Sequence, residues 1–542
     1  MILTIKQGEI QGNQEYAAWT KKKYFSFLGI PYAEPPIGDL RFKPPVEAKN
    51  WHGVFKANKE GGQCYQTTFE KTAVYGTEDC LYLNVFIPEW PDNETKRAVM
   101  LNVHGGGFCS FSGSPLTSSA DHLMNYDVIL VTFNYRLHVL GFLNLGLPEC
   151  AGNMGLKDQL IAFRWVKENI EYFGGDPNNI TLFGQSAGAS SIHLHMMSPL
   201  SHDLFHKCIL QSGSALSSWS FSDSPEERAF ELGRILGFHG NDKRELLEFL
   251  KSTPVRDLSM ANESLRNELK KRYPGKSTSY PFLPSIEIPS EAAILTDHPE
   301  KLLKNTRKIP VIVGMNDKEG GNMFMKEPKL VEILNSQFGD VIRLNYETME
   351  ITEEGIADLK NYYFPNGITP IRDKNSITDL YTDLYFKHFY DLEEYLVEEP
   401  GAVAVYTYQF CYNGSVNLFK YFFGNYTGDV KGAIHADDHF YLFGSDIFFK
   451  NPSVNFTKDD VRVTNCLCAM WTNFAKTGDP NSDLVPVTWH PTTKNKRCYL
   501  RIDKDLEMKD GAINEERYQF WWDLKRKMEL QISKNEKLSL DL

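Results

Sequence analysis

The apolar positions change their pattern near residue 99. Before it, short apolar runs divided by turns, the last at residues 81–85, are typical of antiparallel strands. After it, continuous apolar runs predict strands at 99–103, 128–133 and 180–183. A helix with one apolar face is predicted at 157–172, before the third of these strands. This alternation predicts an α/β fold with a large, mostly parallel central sheet that is flanked by helices.

The rest of the chain continues this pattern with long insertions. Further strands are predicted at 208–211, 309–313 and 405–410, and a carboxy-terminal helix that packs back on the fold begins at Phe520. Residues 222–305, with clustered charges, are predicted to be helical decoration outside the sheet. Neither a Pro/Gly/Ser linker nor an internal repeat divides the 542 residues, so we expect a single domain spanning residues 1–542.

Composition and charge narrow the class of protein. The chain is 42% hydrophobic and 24% charged, which is ordinary for a globular protein. A net charge of −12 without long runs of like charge disfavours nucleic acid and anionic membranes as partners, and the apolar runs are too short to span a membrane. The first residues lack the pattern of a signal peptide. Either the protein is cytosolic, or the numbering begins on a mature domain.

The cysteines and sequons add two expectations. The nine cysteines show neither a paired C-x-x-C spacing nor a histidine pattern for zinc, so we expect no metal site. We expect no cofactor either. Six N-x-S/T sequons favour an exported glycoprotein over a cytoplasmic one. They begin at Asn93, Asn179, Asn262, Asn413, Asn425 and Asn455.

Two glycine-rich motifs follow predicted strands. Gly-Gln-Ser-Ala-Gly at residues 184–188 stands between a strand and a helix, the context of a nucleophile elbow, and makes Ser186 a candidate nucleophile. His-Gly-Gly-Gly-Phe at residues 104–108 follows the strand 99–103 as an oxyanion loop does. Backbone amides of Gly106, Gly107 and Ala187 could then donate to the oxyanion of a tetrahedral intermediate. A phosphate cradle would need G-x-x-x-x-G-K-S/T, which does not accompany the loop.

A nucleophilic serine needs a base and an acid to orient that base, in the chain order serine, acid, histidine. Asp317 and Glu319 both follow the strand predicted at 309–313, and the residues alone do not choose between them. The histidines far enough downstream are His388, His435, His439 and His490. Of these, His435 stands in the loop 432–438, from which a side chain can reach across the sheet.

These motifs and others make the chain resemble the type-B carboxylesterase and cholinesterase family, and more closely its insect esterase branch. The resemblance covers nearly the whole length. It includes Phe-Leu-Gly-Ile-Pro-Tyr-Ala at 27–33, Glu-Asp-Cys-Leu-Tyr-Leu-Asn-Val at 78–85, Phe-Gly-Gly-Asp-Pro at 173–177 and Gln-Ser-Gly-Ser at 211–214. It implies the α/β-hydrolase fold with helical insertions, and Ser186 as nucleophile, His435 as general acid and base, and Glu319 as orienting carboxylate.

The resemblance also implies roles for residues around this triad. It implies structural ion pairs Arg41–Glu78 and Arg136–Asp158, and a disulfide between Cys64 and Cys80. Ser212 matches a supporting hydroxyl near the triad acid, and Gln185 stands directly before the nucleophile. We expect Trp219, Phe108 and Met323 to line the substrate pocket.

Departures from the family pattern narrow the substrate. The loop 65–79 contains no tryptophan, so a choline ester is disfavoured. Gln185 replaces the usual glutamate, which is similar to juvenile hormone esterases. We therefore predict a carboxylesterase that hydrolyses neutral, fairly apolar esters through an acyl-enzyme intermediate. The alternatives are a juvenile hormone or odorant (pheromone) esterase, and a slow scavenger of organophosphates or esters.

The expected partners follow from this reading. They are small ester substrates and organophosphate inhibitors, without nucleic acid or a membrane span. We expect a monomer or weak homodimer that is secreted rather than cytoplasmic.

Overall fold

The computed structural model describes residues 1–540 except 18, 69–72, 93, 277–278, 346–350, 370–372, 387, 399–402, 418, 421–429 and 445–455. The strands, in chain order, are β1 (Ile2–Ile5), β2 (Gly8–Gln11), β3 (Asn13–Tyr16), β4 (Lys23–Pro31), β5 (Val54–Lys56), β6 (Gln66–Thr67), β7 (Val74–Tyr75), β8 (Tyr82–Ile87), β9 (Arg97–Val103), β10 (Ile129–Phe133), β11 (Gly175–Gln185), β12 (Lys207–Gln211), β13 (Val311–Asn316), β14 (Val405–Phe410), β15 (Cys498–Ile502) and β16 (Leu506–Asp510).

The α-helices surround these strands. In chain order they are α1 (His138–Phe142), α2 (Met154–Asn169), α3 (Ala187–Met197), α4 (Pro225–Ile235), α5 (Lys243–Ser252), α6 (Val255–Arg272), α7 (Pro299–Leu302), α8 (Met323–Lys326), α9 (Leu330–Asn345), α10 (Glu353–Tyr363), α11 (Lys374–Phe386), α12 (His388–Val397), α13 (Asp437–Leu442), α14 (Lys458–Thr477) and α15 (Glu515–Leu540).

Among the described residues, eleven strands form one large sheet in the order β16-β15-β14-β13-β12-β11-β9-β10-β8-β4-β3. In this order, all neighbouring pairs between β10 and β15 are parallel. At the edges the pairs are antiparallel: β16 with β15 at one edge, and β8 with β10, β4 with β8 and β3 with β4 at the other. The predicted antiparallel start and mostly parallel centre are confirmed. One strand is longer than predicted: β11 begins at Gly175, because Gly175 pairs with Arg97 before the register shifts ahead of Ile180.

The sheet is buried on both faces, as continuous apolar strands require. Leu101 and Leu182 pack into one hydrophobic core, and their neighbours Met100 and Phe183 pack into a second core on the opposite face. Successive side chains of a strand point to opposite faces, so each central strand supplies both cores. The frame that carries the loops at the sheet's edge is therefore rigid.

The predicted insertions are confirmed in the described part of residues 222–305, which contributes helices α4 to α7 and no strand. The carboxy-terminal helix α15 packs back as predicted. The Trp521 indole N–H donates to the Tyr363 hydroxyl at 2.8 Å, and Phe520 stacks on Tyr362 with ring centroids 3.9 Å apart. Within the described residues, no helix has the length and apolarity needed to cross a membrane.

The sequon asparagines differ in accessibility. Asn262 is 5% exposed within α6, whereas Asn413 is exposed and accepts a hydrogen bond from Lys420. Asn93, Asn425 and Asn455 lie outside the described residues. The folded chain could thus carry a sugar at Asn413 but not at Asn262.

Candidate active site

The sharp turn between β11 and α3 presents Ser186. This residue has φ 58° and ψ −124°, a strained conformation for a residue other than glycine. Its backbone N–H donates to the carbonyl of Gln211 on β12, which holds the turn against the sheet. Glycine is required two residues on, because a Cβ on Gly188 would stand 2.0 Å from the Val103 carbonyl oxygen. The predicted strand-turn-helix context of the elbow is present.

Three side chains form a hydrogen-bonded chain at this turn. The Ser186 hydroxyl lies 2.8 Å from Nε2 of His435, and Nδ1 of His435 lies 2.6 Å from Oε2 of Glu319. Glu319 is fully buried, and its Oε1 accepts a hydrogen bond from the Asn316 backbone amide at 2.7 Å. A carboxylate at Nδ1 keeps the proton there, which leaves Nε2 free to accept the serine proton.

The structure brings Glu319, not Asp317, to the imidazole. Asp317 accepts a hydrogen bond at Oδ1 from the backbone amide of Ala433, at the base of the histidine loop. Burial raises the pKa of Asp317 to about 7, with smaller opposing effects from the Ala433 amide and Lys318. The two carboxyl groups that sequence reasoning left open therefore occupy different places.

The histidine loop is fixed by a buried network beneath it. The side-chain amide of Asn316 donates to the carbonyl of Ile434 at 2.7 Å. Asp438, also fully buried, accepts hydrogen bonds from Gln211 at 2.9 Å and from the Tyr408 hydroxyl at 2.8 Å. These contacts tie the loop to the ends of β12, β13 and β14, so the His435 ring has one defined position.

Of the other candidate histidines, His439 lines the cavity above the serine, but its Nε2 lies 3.2 Å from the Thr117 carbonyl oxygen. Burial lowers the pKa of His439 to about 4, so it is neutral. His490 does not line the cavity, and the side chain of His388 lies outside the described residues.

Two residues expected to support the triad differ in what they contact. The Gln185 side-chain amide lies 3.2 Å from Nε2 of His435 and donates to the nitrogen that also faces Ser186. Ser212 is buried and its backbone amide donates to the Gly314 carbonyl, but its hydroxyl has no hydrogen-bond partner among the described residues. Among the described residues, the Ser212 hydroxyl therefore makes no hydrogen bond to Glu319.

The candidate oxyanion donors surround the serine. Gly106 and Gly107 line the same cavity as Ser186, and Ala187 is the first residue of α3. None of these three backbone amides donates a hydrogen bond to another described residue. Gly107 has φ 63°, and a Cβ there would stand 2.5 Å from the Tyr280 ring. Only glycine lets the loop turn here while an aromatic ring packs against it.

A cavity of about 440 Å³ opens above Ser186 and His435. This volume lies in the range of small-molecule sites. Trp219 lines it, and so do other aromatic side chains, among them Phe111, Tyr385, Phe386 and Phe440. The cavity therefore suits a substrate with apolar parts.

Two of the expected pocket residues do not line the cavity. Phe108 is fully buried and packs edge-on against Phe142, with ring centroids 5.2 Å apart, instead of lining the cavity. Met323 lies beneath the cavity wall, where its sulfur accepts a hydrogen bond from the Tyr385 hydroxyl at 2.9 Å. Their neighbours in sequence, Gly107, Cys109 and Asn322, line the cavity instead.

The predicted disulfide is present between Cys64 and Cys80. The loop that it closes forms one wall of the cavity through Gln66, whose side chain exchanges two hydrogen bonds with the backbone of Phe111. The other cysteines are free, and of these Cys109 alone is partly exposed.

Both predicted ion pairs are present. The Arg41–Glu78 and Arg136–Asp158 contacts are each 2.6 Å, and the second pair is fully enclosed. Burial raises the pKa of Asp158 against the opposing effect of Arg136. Removal of either arginine would leave a buried carboxylate without a counter-charge.

Sequence reasoning missed most of the cavity wall. Arg266 on α6, Tyr280 and Lys326 on α8 all line it. No local motif marks these positions, because insertions far apart in sequence bring them together. Asp438, at the end of the loop 432–438, likewise carries no local signal, and only its buried contacts with Gln211 and Tyr408 show its place beneath the site.

Comparisons with known proteins agree with this geometry. A model of the carboxylesterase family matches residues 1–521. Esterase E4 of Myzus persicae is 31% identical over 528 residues, covering 94% of this chain and 92% of that protein. A carboxylic ester hydrolase of Bombus ignitus is 33% identical over 535 residues, 95% of this chain and 92% of that protein.

Juvenile hormone esterases are similar at both the sequence and the structural level. That of Tribolium castaneum is 32% identical over 508 residues, covering 89% of this chain and 84% of that protein. The crystal structure of juvenile hormone esterase from Manduca sexta, with OTFP covalently attached, superposes with a TM-score of 0.83 at 27% identity. It covers 97% of this chain and 99% of that one, so the α/β-hydrolase fold is confirmed.

Proposed function

The chain belongs to the carboxylesterase family of serine esterases, and on that premise we propose that Ser186, His435 and Glu319 hydrolyse carboxylic esters through an acyl-enzyme. The observation that carries this proposal is the hydrogen-bonded chain from Glu319 through His435 to Ser186 at the floor of the cavity. The aromatic lining favours substrates whose acyl and alcohol parts are largely apolar.

Acylation follows from the positions of these atoms. Nε2 of His435 takes the hydroxyl proton as Ser186 Oγ bonds to the ester carbonyl carbon. The carbonyl oxygen becomes an oxyanion, and the amides of Gly106, Gly107 and Ala187 donate to it. Glu319 stabilises the imidazolium. When the intermediate collapses, the bond from carbon to the alcohol oxygen breaks, and His435 gives its proton to the leaving alcohol.

Deacylation repeats these steps with water. His435 takes a proton from water as its oxygen attacks the acyl carbon, and the same three amides receive the oxyanion. The bond to Ser186 Oγ then breaks, His435 returns the proton to the serine, and the carboxylic acid leaves. Organophosphates would phosphorylate Ser186, because their phosphorus centre resembles the tetrahedral state. Ser186 Oγ would bond to phosphorus as His435 takes its proton, and the bond from phosphorus to its leaving group would break.

The direct test is Ser186→Ala, measured with 4-nitrophenyl butyrate and a fluorophosphonate probe. We expect the burst, the turnover and the labelling to be lost while the melting temperature changes little, because the substitution removes one oxygen atom at the cavity surface. Retained turnover or labelling would overturn the assignment of the nucleophile. A matched control is Ser212→Ala, which removes a nearby hydroxyl that has no partner among the described residues.

The breadth of substrates is tested with a panel of esters of graded acyl length that includes a juvenile hormone and a choline ester. We propose the broad carboxylesterase first. The similarity to juvenile hormone esterases makes a narrow hormone esterase the second candidate, supported if kcat/KM is high for the hormone alone. A one-equivalent burst without further turnover would instead support the scavenger.

We also propose that the chain works as a single domain in an oxidising compartment. One continuous sheet includes strands from near both ends of the chain, β3 and β16. The disulfide that shapes the cavity wall is of a kind that persists outside the cytosol. Mass analysis of the secreted protein, with and without reduction, would test the disulfide and the sugar at Asn413 together.

A further inference from the structure

One end of the cavity carries positive charge that the chemistry of ester cleavage does not use. Arg266 and Lys326 both line the cavity that holds Ser186 and His435. Tyr280 lies between this end and the oxyanion loop: its ring packs against Gly107, and the Arg266 guanidinium stacks over it 4.8 Å from the ring centroid. The basic side chains therefore belong to the same space as the reacting atoms.

The two cations are not equally compensated. Arg266 is 7% exposed, and its Nη1 lies 3.3 Å from Glu263, while its buried Nε has no acceptor among the described residues. Lys326 is partly buried and forms no ion pair with a described carboxylate. The neighbouring Glu327 carboxylate instead accepts a hydrogen bond from the backbone amide of Lys329. Within the described residues, the cavity end thus holds one cation more than the carboxylates paired there.

Burial and the positive charges nearby disfavour the protonated form of Lys326 when no anion is bound. Burial, with smaller contributions from repulsion by Arg266 and Lys270, lowers the pKa of Lys326 to about 8. Burial raises the pKa of Tyr280 to about 12, so its hydroxyl keeps its proton. An anion in this space would compensate the ammonium charge and accept charge-assisted hydrogen bonds.

We propose that the cavity recognises esters that also carry a carboxylate, which binds to Lys326 with Arg266 and Tyr280 beside it. A single unpaired cation matches a monoanion, so a carboxylate fits better than a phosphate dianion. The proposal rests on the proposed esterase function and narrows its substrate class: the apolar chain lies along the aromatic wall, and the charged end lies at the basic end. It also replaces the expectation that the preferred substrates are neutral.

The test compares half-esters with matched neutral diesters. The substrates are mono-4-nitrophenyl adipate, suberate and sebacate, each paired with its methyl 4-nitrophenyl diester. A second series, acetates of ω-hydroxy acids against acetates of their methyl esters, places the charge on the alcohol side. In at least one series and at one chain length, we expect kcat/KM of the acid to exceed that of its methyl ester by about fivefold or more.

Variants then assign the preference to Lys326. Lys326→Gln should lower the ratio of acid to methyl ester by about tenfold, and Lys326→Arg should keep it within about threefold. Lys329→Gln is the matched control, because Lys329 is exposed and lies outside the cavity. A neutral preference at every length in both series, or an unchanged ratio in Lys326→Gln, would overturn the proposal. A melting curve for each variant identifies a folding failure; if Lys326→Gln does not fold, Lys326→Met removes the same charge and should lower the ratio equally.

Binding measured without turnover separates this proposal from the esterase function. Calorimetry of decanoate with Ser186→Ala should show binding that weakens in Lys326→Gln and at high salt. Decanoate binding with no turnover of any ester would overturn the proposed function but support the anion site. Turnover of the neutral diesters without binding of decanoate would support the proposed function but overturn the anion site.

Discussion

Replacement of Glu319 by glutamine tests the proposed triad more sharply than removal of the serine, because the size of the side chain is preserved. The carboxylate meets two donors at once: Nδ1 of His435 at Oε2, 2.6 Å away, and the Asn316 amide at Oε1, 2.7 Å away. A glutamine has one oxygen and one NH₂ group for these two places. Either orientation therefore loses a hydrogen bond in a fully buried site.

Both orientations also impair the base. If the NH₂ group faces Nδ1, the imidazole must carry its proton on Nε2 and cannot accept the Ser186 proton. If the oxygen faces Nδ1, the tautomer survives, but the negative charge that stabilises the imidazolium is gone. An acid-to-amide change in such a triad lowers kcat by about 10⁴-fold, or about 5 kcal/mol of transition-state stabilisation.

Asp317→Asn is the matched control, because it makes the same change two residues away. An asparagine Oδ1 can keep the hydrogen bond from Ala433. We expect kcat/KM for 4-nitrophenyl butyrate to stay within about threefold of the parent, since no triad contact is lost. A comparable loss in both variants, or a larger loss in Asp317→Asn, would refute the assignment of Glu319 as the acid.

The Asp317→Asn variant also tests a prediction about how stability depends on pH. The pKa of Asp317 in the folded protein is about 7, above its value in the unfolded chain, so the unfolded state holds fewer protons between about pH 4 and pH 7. The free energy of unfolding should therefore fall as pH rises through this window, by at most about 4 kcal/mol from this group. Urea unfolding at pH 5 and pH 8 should show a weaker fall in Asp317→Asn, and an equal fall in both proteins would contradict the raised pKa.

Three further predictions concern the cavity and its wall. Gln185→Glu places a negative charge at the cavity floor, so kcat/KM for a choline ester relative to its 3,3-dimethylbutyl isostere should rise by about threefold to tenfold at low salt; an unchanged ratio would contradict this. Trp219→Ala opens the wall beside Phe386, so preference should move to longer or branched acyl chains, with about 3 kcal/mol of stability lost in urea unfolding. Serine at both Cys64 and Cys80 should cost about 3 kcal/mol, as expected for cross-linked positions 16 apart, and reductant should then no longer shift the unfolding of the variant.

The sheet and the reacting residues could be predicted because their signals are local. A continuous apolar run predicts a buried strand wherever it stands, and the glycines at 184–188 report a close approach that the structure contains at Gly188. The choice between Asp317 and Glu319 had no local signal. It depends on which carboxyl group turns inward from the end of β13, and the loop geometry after Asn316 decides that.

The substrate side of the cavity had still less support in the sequence. Phe108 and Met323 lie close in sequence to the oxyanion glycines and the triad acid, yet both are buried outside the cavity surface. Arg266, Tyr280 and Lys326 instead reach the cavity from insertions. Such positions depend on contacts between distant segments, which neither hydrophobic period nor motif spacing encodes. Shared motifs therefore predict the reaction better than the substrate.

The segment 319–326 connects the triad acid to the basic end of the cavity. Glu319 begins a 3₁₀ turn, Glu319–Asn322, that leads directly into α8, and α8 ends at Lys326. A backbone shift in this segment would move the triad acid and the basic end of the cavity together. A side-chain change at Lys326 should alter the preference among substrates, whereas a change that displaces the turn should lower kcat for all of them. The kinetics of acid and methyl-ester pairs can separate these effects, because only the first changes the ratio within a pair.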